Sequence, residues 1–263
     1  MGKLTGKVAV VTGAAMGNGE GIARVLAKHG AYVALWDVAE KVFETARSIE
    51  AQGYGAAAFQ VDVRMLEDCQ SVAKAVIAEK GKIDILCNNA GVVRLAHFLD
   101  MNDELRDLQF DVNLIGVWNC TKAVLPNMKK NKYGKIVIMS SVTGPMVADE
   151  GETAYATTKA ALLGFTKSLA REVAKDGITV NAICPGYILT PMVEYTARES
   201  NPSDPDAVIR GIAAGIPMGR LGSILEIGEL AAFLASDESS YITGAQIVID
   251  GGSTLPETKS VGV

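Results

Sequence analysis

The 263-residue sequence predicts an α/β fold: one three-layer, doubly wound sheet of about seven mostly parallel strands, with helices on both faces. Three observations carry that reading. Short apolar runs such as Val8-Ala9-Val10-Val11 and Ile136-Val137-Ile138 lack the alternation of a half-exposed strand, so they read as strands covered on both sides. Segments with helical apolar spacing separate them, as parallel crossovers require. The chain is 49% hydrophobic with no linker, repeat or composition break, so one large core is expected over residues 1–263.

Bulk properties exclude several function classes. Net charge is −5 and the basic residues are scattered, which gives no electrostatic footprint for nucleic acid. Cys69, Cys87, Cys120 and Cys184 stand apart, and His29 and His97 are the sole histidines, so neither a redox motif nor a metal site is expected. No apolar run reaches membrane-spanning length, and the first strand begins too early for a signal peptide to precede it. Asn119-Cys120-Thr121 is then a chance glycosylation match. A cytoplasmic protein is expected.

Taken in order, the strand Val8–Val11 ends in Thr12-Gly13, and Gly17 and Gly19 lead into a helix over 21–27. A glycine-rich turn there aims backbone N–H groups and a positive helix end at one point, which suits a pyrophosphate. The strand Tyr32–Trp36 ends in Asp37, about 20 positions beyond the turn, where an acidic residue accepts from a ribose 2′-hydroxyl. Its charge repels a 2′-phosphate, and the variable turn positions Ala14, Ala15, Met16 and Asn18 carry no cation, so NAD is expected over NADP. Strands over 56–61 and 83–87 end in Asp62-Val63 and Asn88-Asn89-Ala90-Gly91. A long helix over 111–130 carries Asn113 on its first turns, and a strand over 135–139 ends in Ser140-Ser141. A sixth strand, Ile178–Ile183, runs into Cys184-Pro185-Gly186. Ligands of open α/β sheets bind at such carboxyl ends. From Tyr187 to Ser223 the alternation stops and prolines accumulate, which predicts an irregular substrate lid. A helix over 226–235 and a strand over 246–249 close the chain before Asp250-Gly251-Gly252.

Tyr155 and Lys159 stand four apart on a predicted helix and so share a face. An ammonium beside the phenol lowers its pKa from about 10 towards the range where it exchanges protons. Together with the glycine turn, Asp37, Asp62-Val63, the Asn-Asn-Ala-Gly run, Asn113, Ser140-Ser141, Asn181 and Pro185-Gly186, the pair makes the chain resemble the single-domain short-chain dehydrogenase/reductase family over nearly its whole length. The resemblance implies a Rossmann-like fold, a homotetramer, and hydride exchange between a nicotinamide and a carbonyl or alcohol. It implies Tyr155 as general acid/base and Lys159 as the group that depresses its pKa and binds the nicotinamide ribose. Ser141 would hold the substrate oxygen, in preference to Ser140, and Asn113 would anchor a relay water. For the cofactor it implies Gly13, Met16, Gly17, Asn18 and Gly19 in the turn, Asp37 at the ribose, and Asp62 and Val63 beside the adenine. Asn89, Ala90 and Gly91 would follow the ribose region, and Ile188 and Thr190 would reach the carboxamide. One departure is Asn18, where the family usually has Ile.

Met146, Val147, Met192, Val193 and Tyr195 are candidate pocket walls, with Glu152 and His97 as polar contacts. That lining fits a small to medium, mostly neutral ketone, aldehyde or secondary alcohol; Arg94, Arg198 and Arg210 form no cluster. The alternative function is an NAD-binding sensor or scaffold without chemistry. An epimerase or dehydratase is disfavoured, since such enzymes usually carry a larger C-terminal domain.

Overall fold

The structure, a computed structural model, describes residues 2–255, except for the side chains of Tyr195, Thr196 and Glu199. Nine strands and nine α-helices follow in the order β1 (Val8–Thr12), α1 (Gly17–Lys28), β2 (Tyr32–Asp37), α2 (Lys41–Glu50), β3 (Ala56–Gln60), α3 (Leu66–Lys80), β4 (Ile85–Asn88), α4 (Asp103–Phe110), α5 (Gly116–Asn131), β5 (Gly134–Met139), α6 (Thr153–Val173), β6 (Ile178–Pro185), β7 (Ile188–Leu189), α7 (Pro191–Ser200), α8 (Pro205–Ala214), β8 (Gly222–Ser223), α9 (Ile224–Leu234) and β9 (Gln246–Ile249), among the described residues. Seven strands form the main sheet in the order β3-β2-β1-β4-β5-β6-β9, and each recorded pairing is parallel; β7 and β8 form a separate pair. The chain winds outward from β1 in both directions, so the carboxyl ends of β1 and β4 diverge and leave a crevice.

Each β1 residue is buried, as the unbroken apolar run requires. Ala9 and Val11 face one core with Ile22 and Leu26 of α1 and Ile227 and Ala231 of α9. Val8 and Val10 face the other, with Val76 of α3, Val124 and Met128 of α5, and Leu162 of α6. The sheet is thus fixed from both sides, and the strand ends it presents are a rigid edge on which to mount a site. Among the described residues no helix is long and apolar enough to cross a membrane.

Two segments differ from the sequence-based expectation. The helix predicted over 111–130 begins earlier, at Asp103, and is interrupted by a π-helical turn at Asp111–Ile115 before α5 continues. Asn113 lies inside that turn, fully buried. The segment 187–223 is more regular than expected. Thr190 accepts from the Val193 N–H and Asp204 from the Ala207 N–H, and Pro191 and Pro205 open α7 and α8. A proline at the first helical position loses no hydrogen bond and arrives with its φ already helical. These prolines therefore start helices rather than breaking them.

Candidate active site

A cleft of about 600 Å³ runs along the carboxyl ends of β1, β2, β4, β5 and β6. Its first end is the glycine turn. Gly13 has φ +63°, and a Cβ there would stand 2.8 Å from the Ala90 Cα; a Cβ on Gly19 would stand 2.0 Å from the Gly13 carbonyl oxygen. Side chains are therefore excluded from both positions by backbone contact. Gly13, Met16, Gly17 and Asn18 line the cleft, whereas Gly19 lies beneath, packed on Gly13. No side chain caps α1, so its first-turn N–H groups remain available at the cleft. An uncapped helix start behind a cradle closed to any Cβ fits a dinucleotide pyrophosphate.

Asn89 braces this turn. Its Nδ2 donates to the carbonyl oxygens of Thr12 (3.0 Å) and Gly13 (3.1 Å), while Thr12 Oγ1 accepts from the N–H groups of Asn89 and Ala90. The Asn89 amide nitrogen is thus spent on the protein, and only its carbonyl is left for a ligand. Asp37 Oδ2 accepts from Ala15 N and Oδ1 from Ala39 N, each at 2.9 Å. Those bonds fix the carboxylate at the cleft and leave it lone pairs for a hydroxyl donor. Asp62 is gripped by Arg64, whose Nη2 donates to Oδ2 at 2.6 Å and whose Nε contacts both oxygens at 3.0 Å. The guanidinium holds the Asp62 carboxyl below the usual carboxylate range. Behind this loop, Asn119 Nδ2 donates to the Val63 and Arg64 carbonyls, so the apparent glycosylation motif is a buried structural brace. Asn18 has a buried Oδ1 without a partner.

The far end of the cleft is buried. Lys159 is 4% exposed, its Nζ donates to the Met139 carbonyl at 2.8 Å, and burial pulls its pKa down to about 8. A Cβ on Gly91 would lie 3.4 Å from that Nζ and 3.3 Å from Asn113 Oδ1, so Gly91 brings the β4 loop directly against both. Asn113 Oδ1 accepts from Val92 N at 2.7 Å; its Nδ2 donates to Val92 O at 2.9 Å and to Thr158 Oγ1 at 3.1 Å. Ser140 and Ser141 both line the cleft, but Ser140 Oγ is buried and donates to the Lys159 carbonyl at 2.8 Å, whereas Ser141 Oγ accepts from Thr143 N. Tyr155 lines the cleft beside Ser141, and the Lys159 Nζ stands 5.6 Å from its ring centroid.

The electrostatics correct one expectation. Burial pushes the Tyr155 phenol above its ordinary pKa, a hydrogen bond with Ser141 pulls it back, and the Glu152 charge raises it further. Lys159 is not among the causes. Its ammonium is turned to the Met139 carbonyl, and its own charge is weakened by burial. Without a ligand the phenol keeps its proton.

Ile188, Thr190, Met192 and Val193 all line the cleft, with Thr190 facing Gly17 across it. Met146, Val147, Glu152 and His97 do not line it. The loop after Ser141 folds onto the first turns of α6, with Thr143 bridged to Val147 and Gly144 against the Ala156 carbonyl, which draws Met146 and Val147 away. Tyr195 lies outside the described side chains. Sequence reasoning missed Arg64 as a cleft residue and placed Arg94 among weak candidates; both line it. Each stands two or three positions after a motif residue, Asp62 or Gly91, and that proximity was the available signal.

The matching family model is described as Enoyl-(Acyl carrier protein) reductase and spans residues 13–254. Oxidoreductase UcpA of Salmonella typhimurium is 59% identical over 263 residues, covering all of both chains. The 3-oxoacyl-[acyl-carrier-protein] reductase FabG of Thermotoga maritima is 39% identical, over 96% of this chain and all of that protein. A crystal structure of a short-chain type dehydrogenase/reductase from Mycobacterium marinum superposes with a TM-score of 0.88 at 35% identity, over 96% of this chain and 97% of that one.

Proposed function

The chain belongs to the short-chain dehydrogenase/reductase family, and on that premise we propose that it is an NAD(H)-dependent oxidoreductase that interconverts a ketone or aldehyde and the corresponding alcohol. The observation that carries this is the gathering of Ser141, Tyr155 and Lys159 at one end of a cleft whose other end is a side-chain-free cradle. Gly13, Met16, Gly17 and Asn18 hold the pyrophosphate, Asp37 the adenosine ribose, Asp62 and Val63 the adenine side, and Ile188 and Thr190 the carboxamide. The bound nicotinamide supplies or accepts the hydride.

In reduction Tyr155 gives its proton to the substrate oxygen, and its raised pKa keeps that proton in place until it is needed. Ser141 donates a hydrogen bond to the same oxygen, where negative charge develops. In oxidation the proton returns to Tyr155. Lys159 orients the nicotinamide ribose and passes protons outward. The Asn113 Nδ2 spends both its N–H groups on Val92 and Thr158, so a relay water would meet the Oδ1, which accepts from Val92 N and keeps a second lone pair.

NAD preference rests on Asp37 and on the engagement of Arg64, a cleft-lining cation, by Asp62. The segment 187–223 serves as the substrate lid of a single catalytic domain. Exposed apolar side chains such as Phe98, Leu99 and Trp118 favour a homotetramer, and four free, buried cysteines favour a cytoplasmic setting. Replacing Tyr155 by Phe should lower turnover by about 10²–10⁴-fold while NADH still binds. Unchanged turnover would overturn the mechanism.

A further inference from the structure

The reaction end of the cleft has an unusual charge balance. The carboxylates that line the cleft, Asp37 and Asp62, belong to the glycine-turn end, and Asp62 already neutralises Arg64. At the reaction end the charged residues that line the cleft are Lys159 and Arg94. Glu152 does not line the cleft, although its charge acts on Tyr155, and the Arg198 and Arg210 guanidinium groups are paired with Glu194 and Asp204. Among the described residues Arg94 has no carboxylate partner. The one bond recorded for its guanidinium runs from Nη1 to the carbonyl of its neighbour Val93, at 2.8 Å.

The backbone of Arg94 is held with more care than an exposed loop residue needs. Gln109, which is fully buried, accepts from Arg94 N at 3.0 Å and donates to Arg94 O at 3.3 Å. Asn113, four residues on, makes the same two-bond grip on Val92. The two side-chain amides thus act as an edge strand for the loop and set Arg94 at a fixed register after Gly91. A Cβ on Gly91 would stand 3.4 Å from the Lys159 ammonium, and three extended residues span at most about 11 Å. An arginine side chain from Arg94 therefore lies within the length of one small metabolite from Tyr155.

We infer that Arg94 is a specificity-determining residue that binds an anionic group on the substrate, so that the preferred substrate is an oxo acid or hydroxy acid rather than a neutral ketone. The inference rests on the oxidoreductase reading. A guanidinium with unpaired donors in a partly enclosed cleft matches a carboxylate in shape and charge. Lys159 is buried and donates to the Met139 carbonyl, so it is the less accessible of the two cations.

The test is steady-state reduction of 3-oxo carboxylates of four to eight carbons against their methyl esters, with NADH, in the full-length wild type, Arg94→Gln and Arg94→Lys. The wild type should favour acid over ester by at least about tenfold in kcat/KM at the best chain length, and the preference should shrink with added salt. Arg94→Gln should reduce the acid-to-ester ratio at least about tenfold through KM, with Arg94→Lys intermediate. A wild-type ratio near one, or a ratio that Arg94→Gln leaves in place, would overturn the inference while sparing the oxidoreductase reading. An NADH complex that reduces neither acid nor ester would overturn both.

Discussion

At the glycine-turn end of the cleft, each ionised lining side chain is held by hydrogen bonds: Asp37 by the Ala15 and Ala39 N–H groups, and Asp62 and Arg64 by each other. At the reaction end Lys159 is buried with one carbonyl partner, and burial moves both its pKa and that of Tyr155. The difference separates two tasks. A binding end needs groups of fixed charge and direction, and hydrogen bonds supply these. A reacting end needs groups whose protonation is easily changed, and removal of water does that.

The sharpest way to break this contrast is at Lys159. If its burial and its charge are both used, Lys159→Met should lower kcat by about 10²–10⁴-fold, and ADP-ribose binding at the other end should hardly change. A comparable loss of ADP-ribose affinity would show that the two ends are not independent.

Burial of Lys159 also makes a claim on stability. The unfolded chain keeps that proton to about pH 10.5, the folded chain only to about 8, so the unfolded state binds more protons between those values. Stability should therefore climb by up to about 3 kcal/mol from this group as pH rises through the window, on top of other titrations. Denaturant midpoints of wild type and Lys159→Met should diverge in slope there. Parallel pH profiles would place the ammonium in a wetter site than its 4% exposure implies.

At the glycine-turn end the expected effects are smaller. Asp37→Asn removes the charge facing a 2′-phosphate, so the NADPH-to-NADH ratio of kcat/KM should rise about tenfold, or about 1.4 kcal/mol. A wild type that uses both cofactors equally would already refute the preference. The smallest effect is at Asn18, whose Oδ1 is buried without a partner. Asn18→Ile removes that uncompensated acceptor and should raise the unfolding free energy by about 1 kcal/mol, read as a higher denaturant midpoint at unchanged slope. A destabilised variant would mean that a water or ligand satisfies the amide.

Legibility from sequence differed between the two ends for a physical reason. The glycine turn, Asp37 and Asp62 follow local rules, because turn geometry and strand ends depend on residues close in the chain. The helical spacing of Tyr155 and Lys159 was equally local. Their electrostatics were not, since the pKa of Tyr155 depends on burial, Ser141 and Glu152, and the direction of the Lys159 ammonium on Met139. The prolines at 191 and 205 were misread because their cap residues were not considered with them. The π turn at Asp111–Ile115 left no pattern in composition.

By itself the sequence determined the layered α/β fold, the order of its strands along the chain, and the residue types available at each strand end. Apolar runs, turns and helix periods are properties of neighbouring residues, and parallel crossovers leave few ways to join them. Only the tertiary structure decided that the Ser140 hydroxyl is spent on the Lys159 carbonyl, that Met146 and Val147 turn away, and that Gln109 and Asn113 grip the loop bearing Arg94. Those outcomes depend on which surfaces meet across long sequence separations, where burial and hydrogen-bond competition choose among groups that look alike in the chain.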